Sequence, residues 1–241
     1  MLKTQILCYH SKLNMSTIGE FLKKYSNLRP LDKGGRGNLN YSDIELIISN
    51  ITKKPRAFLL AHPEYKIVKS LKLKVESLIW RRMKGEPLAY ILGEKEFYGL
   101  NFKVNKNVLV PRPETELMVE ETLNLVAHNS QPITLIDVGA GSGCIIITLA
   151  KKLLNNELRI MNYEFIGTDI SESALKIARQ NAKFHKVDKK INPAPLYRKS
   201  GRPEKKWCGV KFLRGNLLNP IIKKIKNKKL KIVNCKLIIA A

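Results

Sequence analysis

The stretch LIDVGAGSGCIIITLA, residues 135–150, decides the architecture. An apolar run ends at Asp137, and Gly139, Gly141 and Gly143 follow at alternate positions. A second apolar run then has helical spacing. This is a short buried strand that turns sharply into a helix running from Cys144 to about Leu154. Downstream, YEFIGTDI reads as a second strand ending at Asp169, and SESALKIARQNAK reads as the helix after it. Further strands are expected near 210–213 and 235–240. Strands alternating with helices predict a parallel sheet covered by helices, that is, an α/β domain.

In such sheets ligands sit beyond the carboxyl ends of the strands, near the point where the strand order reverses. The turn Gly139, Ala140, Gly141, Ser142 and Gly143 lies there, with glycines where side chains would block close approach of a ligand to the backbone. Asp169, at the end of the next strand, is placed to accept hydrogen bonds from both hydroxyls of a ribose. The spacing is G-x-G-x-G, without the G-x-G-x-x-G of dinucleotide folds or the G-K-[ST] of triphosphate loops. An adenosine cofactor without phosphates fits, and S-adenosyl-L-methionine is the one expected. Its positive sulfonium tolerates the nearby acid Asp137. An ordinary tight turn between strand and helix is the competing reading.

The N-terminal part reads as helical. STIGEFLKKYSNL places Ile18, Phe21, Leu22 and Tyr25 at helical spacing. RPLDKGGRGNLN reads as a loop, and Ser42 with Glu45 as an S-x-x-E capping box. Leu71, Val75, Leu78 and Ile79 share one face of a long helix, with Gly85 at its C-terminal end and Pro87 barring continuation. LAYILGEKEFYGLNFKVNKNVLVPRP alternates apolar and polar residues and turns at Gly99, which predicts a β-hairpin. PETELMVEETLNLVAH follows as a helix, with Pro113 in its first turn. The expected organisation is a helical domain over 1–87, a hairpin linker over 88–112 and the α/β domain over 113–241.

Composition sets outer bounds. The 241 residues are 44% hydrophobic, enough for a core, and no apolar run reaches the ~18–20 residues of a membrane span. The N-terminus does not read as a secretory signal. Cys8, Cys144, Cys208 and Cys235 are scattered, as are the four histidines, so a reduced, cytoplasmic protein without a metal is expected. The net charge of +24 fits either attraction to nucleic acid or an AT-rich coding bias.

The pieces EPLAYILGEKEFYGLNFKVNKNVLVPRPETE, DVGAGSG and GTDIS together resemble the HemK/PrmC family, the glutamine N5-methyltransferases of peptide chain release factors. The resemblance runs over about residues 16–185 and resumes at 210–241, with PRPETE its most specific part. It implies a small helical domain that helps dock a class 1 release factor. It also implies a Rossmann-like domain that carries a methyl group from S-adenosyl-L-methionine to the glutamine of the Gly-Gly-Gln loop. By position, Gly139 to Gly143 would wrap the methionine and ribose part of the cofactor, and Asp169 would take the ribose hydroxyls. Asn216, followed by Leu217, stands where the family has an acid beside the adenine. Arg112, Glu114, Thr115 and Glu116 stand between two roles: wall of the cofactor pocket, or helix N-terminal electrostatics and bracing of the hairpin.

Two departures stand out. The basic segment about 187–208 reads as an insertion, either a disordered loop or a contact for ribosomal RNA. The family's Asn-Pro-Pro-Tyr motif, which would orient the substrate amide, does not follow KLIIAA. No catalytic residue is therefore assigned, the Rossmann-like domain is expected to be C-terminally incomplete, and these 241 residues are expected to be inactive. A ribosomal-protein glutamine methyltransferase, a nucleic-acid adenine methyltransferase and an inactive binding fragment are the alternatives.

Overall fold

The computed structural model describes residues 17–26, 39–127, 133–155, 163–188, 209–226 and 235–238. Of the segment at about 187–208 that reads as an insertion, residues 189–208 lie outside the described residues, as does most of the glycine loop at 29–40. The chain divides into two compact units, Met1–Leu92 and Gly93–Ala241. Among the described residues, no helix is long and apolar enough to cross a membrane.

The first unit is helical: α1 Ile18–Ser26, α2 Tyr41–Thr52, α3 Arg56–Ala61, α4 Lys69–Met83 and α5 Leu88–Leu92. The spacing read in the sequence is what buries these helices. Ile18, Phe21, Leu22 and Tyr25 from α1 meet Ile44, Ile47 and Ile48 from α2 and Val75 and Ile79 from α4. Leu71 and Leu78 pack at the margin of this cluster. Helix α4 ends as expected. Gly85 has φ +89°, its N–H donates to the Arg82 carbonyl at 2.9 Å, and the Glu86 N–H donates to the Arg81 carbonyl at 3.2 Å. Two acids of α2 are buried and paired: Asp43 accepts from Arg82 Nε at 2.8 Å and Glu45 from Arg56 Nε at 3.0 Å.

Two sequence readings are corrected here. Helix α2 is not capped by Ser42. It starts at Tyr41, and Asn40 Oδ1 accepts the Asp43 N–H at 2.7 Å. Glu45 is turned inward to Arg56, so it is not the acid of a capping box. Burying Ile44, Ile47 and Ile48 together sets the start of the helix, and its capping residue falls two residues before Ser42. Asn40→Ala is accordingly expected to cost about 1 kcal/mol of stability and Ser42→Ala close to nothing, measured by urea unfolding. Equal costs would restore the capping box. Likewise Leu88–Leu92 is a short helix and not part of the hairpin: Ile91 is buried in the helical core, with Leu88 and Leu92 packed against it.

The second unit opens with the hairpin β1 Glu94–Phe97 and β2 Leu100–Lys103. Its two-residue turn has Tyr98 at φ +53° and Gly99 at φ +73°, the left-handed pair that matches strand twist. Phe97 and Phe102 are buried edge to face, with ring centroids 6.2 Å apart. Burying each contributes roughly 2–3 kcal/mol. A 3₁₀ turn, Pro113–Thr115, leads into α6 Glu116–Ala127, with Pro113 at its start as anticipated.

The remaining elements alternate: β3 Ile133–Val138, α7 Cys144–Asn155, β4 Tyr163–Asp169, α8 Glu172–Phe184, β5 Val210–Arg214, α9 Asn219–Lys226 and β6 Cys235–Ile238. All four strands are parallel, in the order β5-β4-β3-β6. Counted along this sheet they run third, second, first, fourth. The order therefore reverses beside β3, the doubly wound pattern of a Rossmann-like fold. Strand β3 is buried at every position because both faces are covered. Alternation sorts its side chains. Ile133 and Leu135 join the large cluster with α7, while Ile136 and Val138 join Ile166 and Ile221 on the opposite face. By the same count Asp137 faces the side on which α7 packs.

Candidate cofactor site

The carboxyl ends of β3, β4 and β5 converge. After β3 the chain needs left-handed backbone three times, with φ +77° at Gly139, +52° at Gly141 and +78° at Gly143. The alternate glycines of the sequence answer this demand, since side-chain-bearing residues strain there. The N–H groups of Gly139 and Ala140 both donate to the Thr168 carbonyl at 2.8 Å, and Gly143 N–H donates to the Ala140 carbonyl at 2.7 Å. The turn is thus stitched to the end of β4.

Asp169 makes the main link. Its Oδ2 accepts the Gly141 N–H at 2.9 Å and its Oδ1 the Ser171 N–H at 2.8 Å. Each oxygen keeps a second lone pair for a further donor. The segment carrying Asn216 and Leu217 is tied to the same place. Gly215 N–H donates to the Asp169 carbonyl at 2.9 Å, and Thr168 Oγ1 donates to the Leu217 carbonyl at 3.1 Å. Leu217 holds φ +47° with its side chain exposed, and Ile170 beside Asp169 is exposed as well. Asp137, Gly139 to Gly143, Asp169, Asn216 and Leu217 are therefore brought to one end of the sheet.

Asp137 is the electrostatic singularity of the unit. It is 2% exposed, and neither carboxylate oxygen has a hydrogen-bond partner among the described residues. Burial pushes its carboxyl up to about 7 from an ordinary 3.8; the nearby Ile146 backbone opposes the rise and the Asp169 charge adds to it. A buried acid without a partner suits a cationic group brought in by a ligand. The neighbouring Cys144 thiol, by contrast, is pushed up to about 12 by burial and is held unreactive.

A pH dependence follows for the ligand-free protein. Between about 3.8 and 7 the folded state keeps a proton on Asp137 that the unfolded chain has lost. The associated stability is complete below 3.8 and is lost as pH rises through 7. Asp137→Asn is expected to abolish this fall, seen as a flatter melting temperature between about pH 4 and 7. An unchanged slope would mean that the wild-type carboxyl does not carry it.

The four residues singled out in PRPETE do not behave alike. Arg112 and Glu114 are exposed and Thr115 is half-buried. Glu116 accepts the Tyr98 N–H of the hairpin turn at 3.0 Å. The geometry thus gives Glu116 the bracing contact that the sequence left open for this group.

Three residues at the site escaped the sequence reading. Phe212 of β5 lies across two glycines: a Cβ on Gly167 would come 2.7 Å from its ring and a Cβ on Gly143 3.2 Å. Ile170, the residue after the end of β4, is exposed beside Asp169. Asn181 of α8 is fully buried and bonds the loop itself, to the Ser142 carbonyl at 2.9 Å. Its signal was legible: it lies with Ala174 and Ala178 at helical spacing on the buried face of α8, and His185 at the helix C-cap continues that face.

Comparison with known proteins matches the PrmC N-terminal domain family to residues 39–93 and a methyltransferase domain family to residues 129–192. The release factor glutamine methyltransferase of Coxiella burnetii is 41% identical over 145 residues, which cover 60% of this chain and 50% of that protein. The chain is related to the release factor glutamine methyltransferases. That of Haemophilus influenzae is 36% identical over 151 residues, covering 61% and 52% of the two chains. That of Buchnera aphidicola subsp. Acyrthosiphon pisum is 41% identical over 138 residues, covering 57% and 47%. The chain spans about half the length of the curated relatives it matches.

Proposed function

We propose that this protein methylates the side-chain amide of the glutamine in the Gly-Gly-Gln loop of a class 1 release factor, using S-adenosyl-L-methionine. The observation that carries the reading is the junction of Asp169 with Gly141: a charged acceptor at the end of β4 held against a left-handed glycine loop at the end of β3. The family relationship chooses among the cofactors this geometry admits.

The residues fit the cofactor. Asp169 is placed to accept from the ribose hydroxyls with the lone pairs its two backbone contacts leave free. The glycines allow the ligand to approach the backbone. The orphaned carboxylate of Asp137 supplies a counter-charge for a ligand cation. Exposed Ile170 and Leu217 offer apolar surface for an adenine, and Asn216 an amide for its edge. When bound, the cofactor supplies an electrophilic methyl group on a sulfonium. The helical unit would take part in docking the release factor, as the match to the PrmC N-terminal domain suggests.

Two measurements test this. Calorimetry should show S-adenosyl-L-methionine binding to the 241-residue chain, and ATP or NAD binding instead would overturn the cofactor assignment. The protein expressed from its whole coding sequence, with labelled cofactor and a purified release factor, should mark the loop glutamine. Label on a ribosomal protein or on nucleic acid would move the substrate to those classes.

A further inference from the structure

Strand β2 pairs with β1 along one edge, so its other edge presents the backbone of Asn101 and Lys103 outward. Helix α8 meets that edge with side chains. His185 Nε2 lies 2.8 Å from the Asn101 carbonyl. One turn earlier, Asn181 Oδ1 accepts the Lys103 N–H at 2.8 Å, and Nδ2 donates to the Lys103 carbonyl at 3.0 Å. The amide thus mimics a neighbouring strand. Its second Nδ2 proton goes to the Ser142 carbonyl at 2.9 Å, inside the glycine loop. The amide orientation is unambiguous, since one N–H and two carbonyls must be matched.

We propose that Asn181 is a positioning residue that holds the glycine loop in its binding conformation by clamping the Ser142 carbonyl to the hairpin, so that cofactor affinity depends on the hairpin. The inference rests on the cofactor reading above. Physically, Ser142 sits between two left-handed glycines, the most permissive backbone in the loop. A buried bond to its carbonyl restricts that freedom, and a loop already ordered binds with less entropic cost. His185 supports the same strand edge but bonds Asn101, not the loop, so it is the internal control.

The test compares Asn181→Asp, Asn181→Ala and His185→Ala with the wild type in the full chain. Asn181→Asp keeps the acceptor for Lys103 N–H and loses both donors. Both Asn181 variants should weaken S-adenosyl-L-methionine binding about tenfold. They should also speed amide exchange of residues 139–143 without ligand and shift the ¹⁵N resonance of Gly143, whose peptide contains the Ser142 carbonyl. His185→Ala should lower the melting temperature yet leave affinity, loop exchange and that resonance nearly unchanged. Loop exchange like the wild type in a folded Asn181 variant, or equal effects from His185→Ala, would overturn the clamp. If the wild type binds no S-adenosyl-L-methionine, the cofactor reading fails, while the ligand-free exchange and the resonance still decide the clamp. If the Asn181 variants do not fold, the wild-type side-chain amide protons decide. Slow exchange supports the clamp and free-solvent exchange refutes it.

Discussion

Gly143→Ala is expected to destabilise the α/β unit by about 2–5 kcal/mol. Two effects add. The backbone there has φ +78°, which costs alanine about 1–2 kcal/mol. The new methyl would also stand 2.8 Å from Ile147 Cδ1, 3.2 Å from the Phe212 ring and 3.3 Å from Ala178 Cβ. Ile147 is fully buried, so its methyl end has little room to retreat. Overpacking of this kind costs roughly 1–3 kcal/mol. Gly141→Ala is the companion measurement. It shares a left-handed φ of +52°, but its nearest atom is the Gly139 carbonyl oxygen at 3.9 Å. It should therefore show the backbone term alone, about 1–2 kcal/mol. Urea unfolding of both variants separates the terms, and equal losses would mean that the crowding around Gly143 relaxes freely.

The second large effect is expected at Asp169. Asp169→Ala should weaken S-adenosyl-L-methionine binding by on the order of 100-fold, since hydrogen bonds to a charged acceptor contribute ~1.5–3 kcal/mol each. The loss has a direct part, the ribose contacts, and an indirect one. The Gly141 and Ser171 N–H groups lose the acceptor that joins the loop to the start of α8. Asp169→Asn should fall between, because an amide offers one acceptor oxygen where two N–H groups compete. Calorimetry measures both. Unchanged affinity in Asp169→Ala would place the adenosine elsewhere and would falsify the assignment of this strand end. A drop confined to loop stability, with affinity intact, would reduce Asp169 to a structural tie.

The two variants probe different layers of the site. Gly143 is a matter of space behind the loop, where Phe212 and Ile147 pack. Asp169 is a matter of polar groups in front of it. A ligand that needs the loop but not the carboxylate would separate the two, which is how another nucleotide would reveal itself against S-adenosyl-L-methionine.

Much of the architecture was written locally. The strand ending at Asp137, the alternate glycines, the strand ending at Asp169 and the helix after it are contiguous patterns, and periodicity reads contiguous patterns well. The same holds for α1 and for the faces of α4. The turn at Gly99 is local too, because a two-residue left-handed turn depends on its own residues. The errors also had local causes. An S-x-x-E pattern occurs at Ser42 whether or not a helix begins there, and burial of three isoleucines decided where it did. Residues 88–92 are an unbroken apolar run, too short to distinguish a strand from one helical turn, and the burial of Ile91 settled the matter.

What only the tertiary structure decided is which distant groups share one place. Asp169 reaches Gly141 across 28 positions, Asn181 reaches Ser142 across 39 and Lys103 across 78. No periodicity encodes such pairings, because they exist only once the sheet has stacked its strands as β5-β4-β3-β6. The unpaired buried carboxylate of Asp137 belongs to the same class. Its position at a strand end was legible, but its lack of a partner depends on every group packed around it, and that is settled by burial rather than by order along the chain.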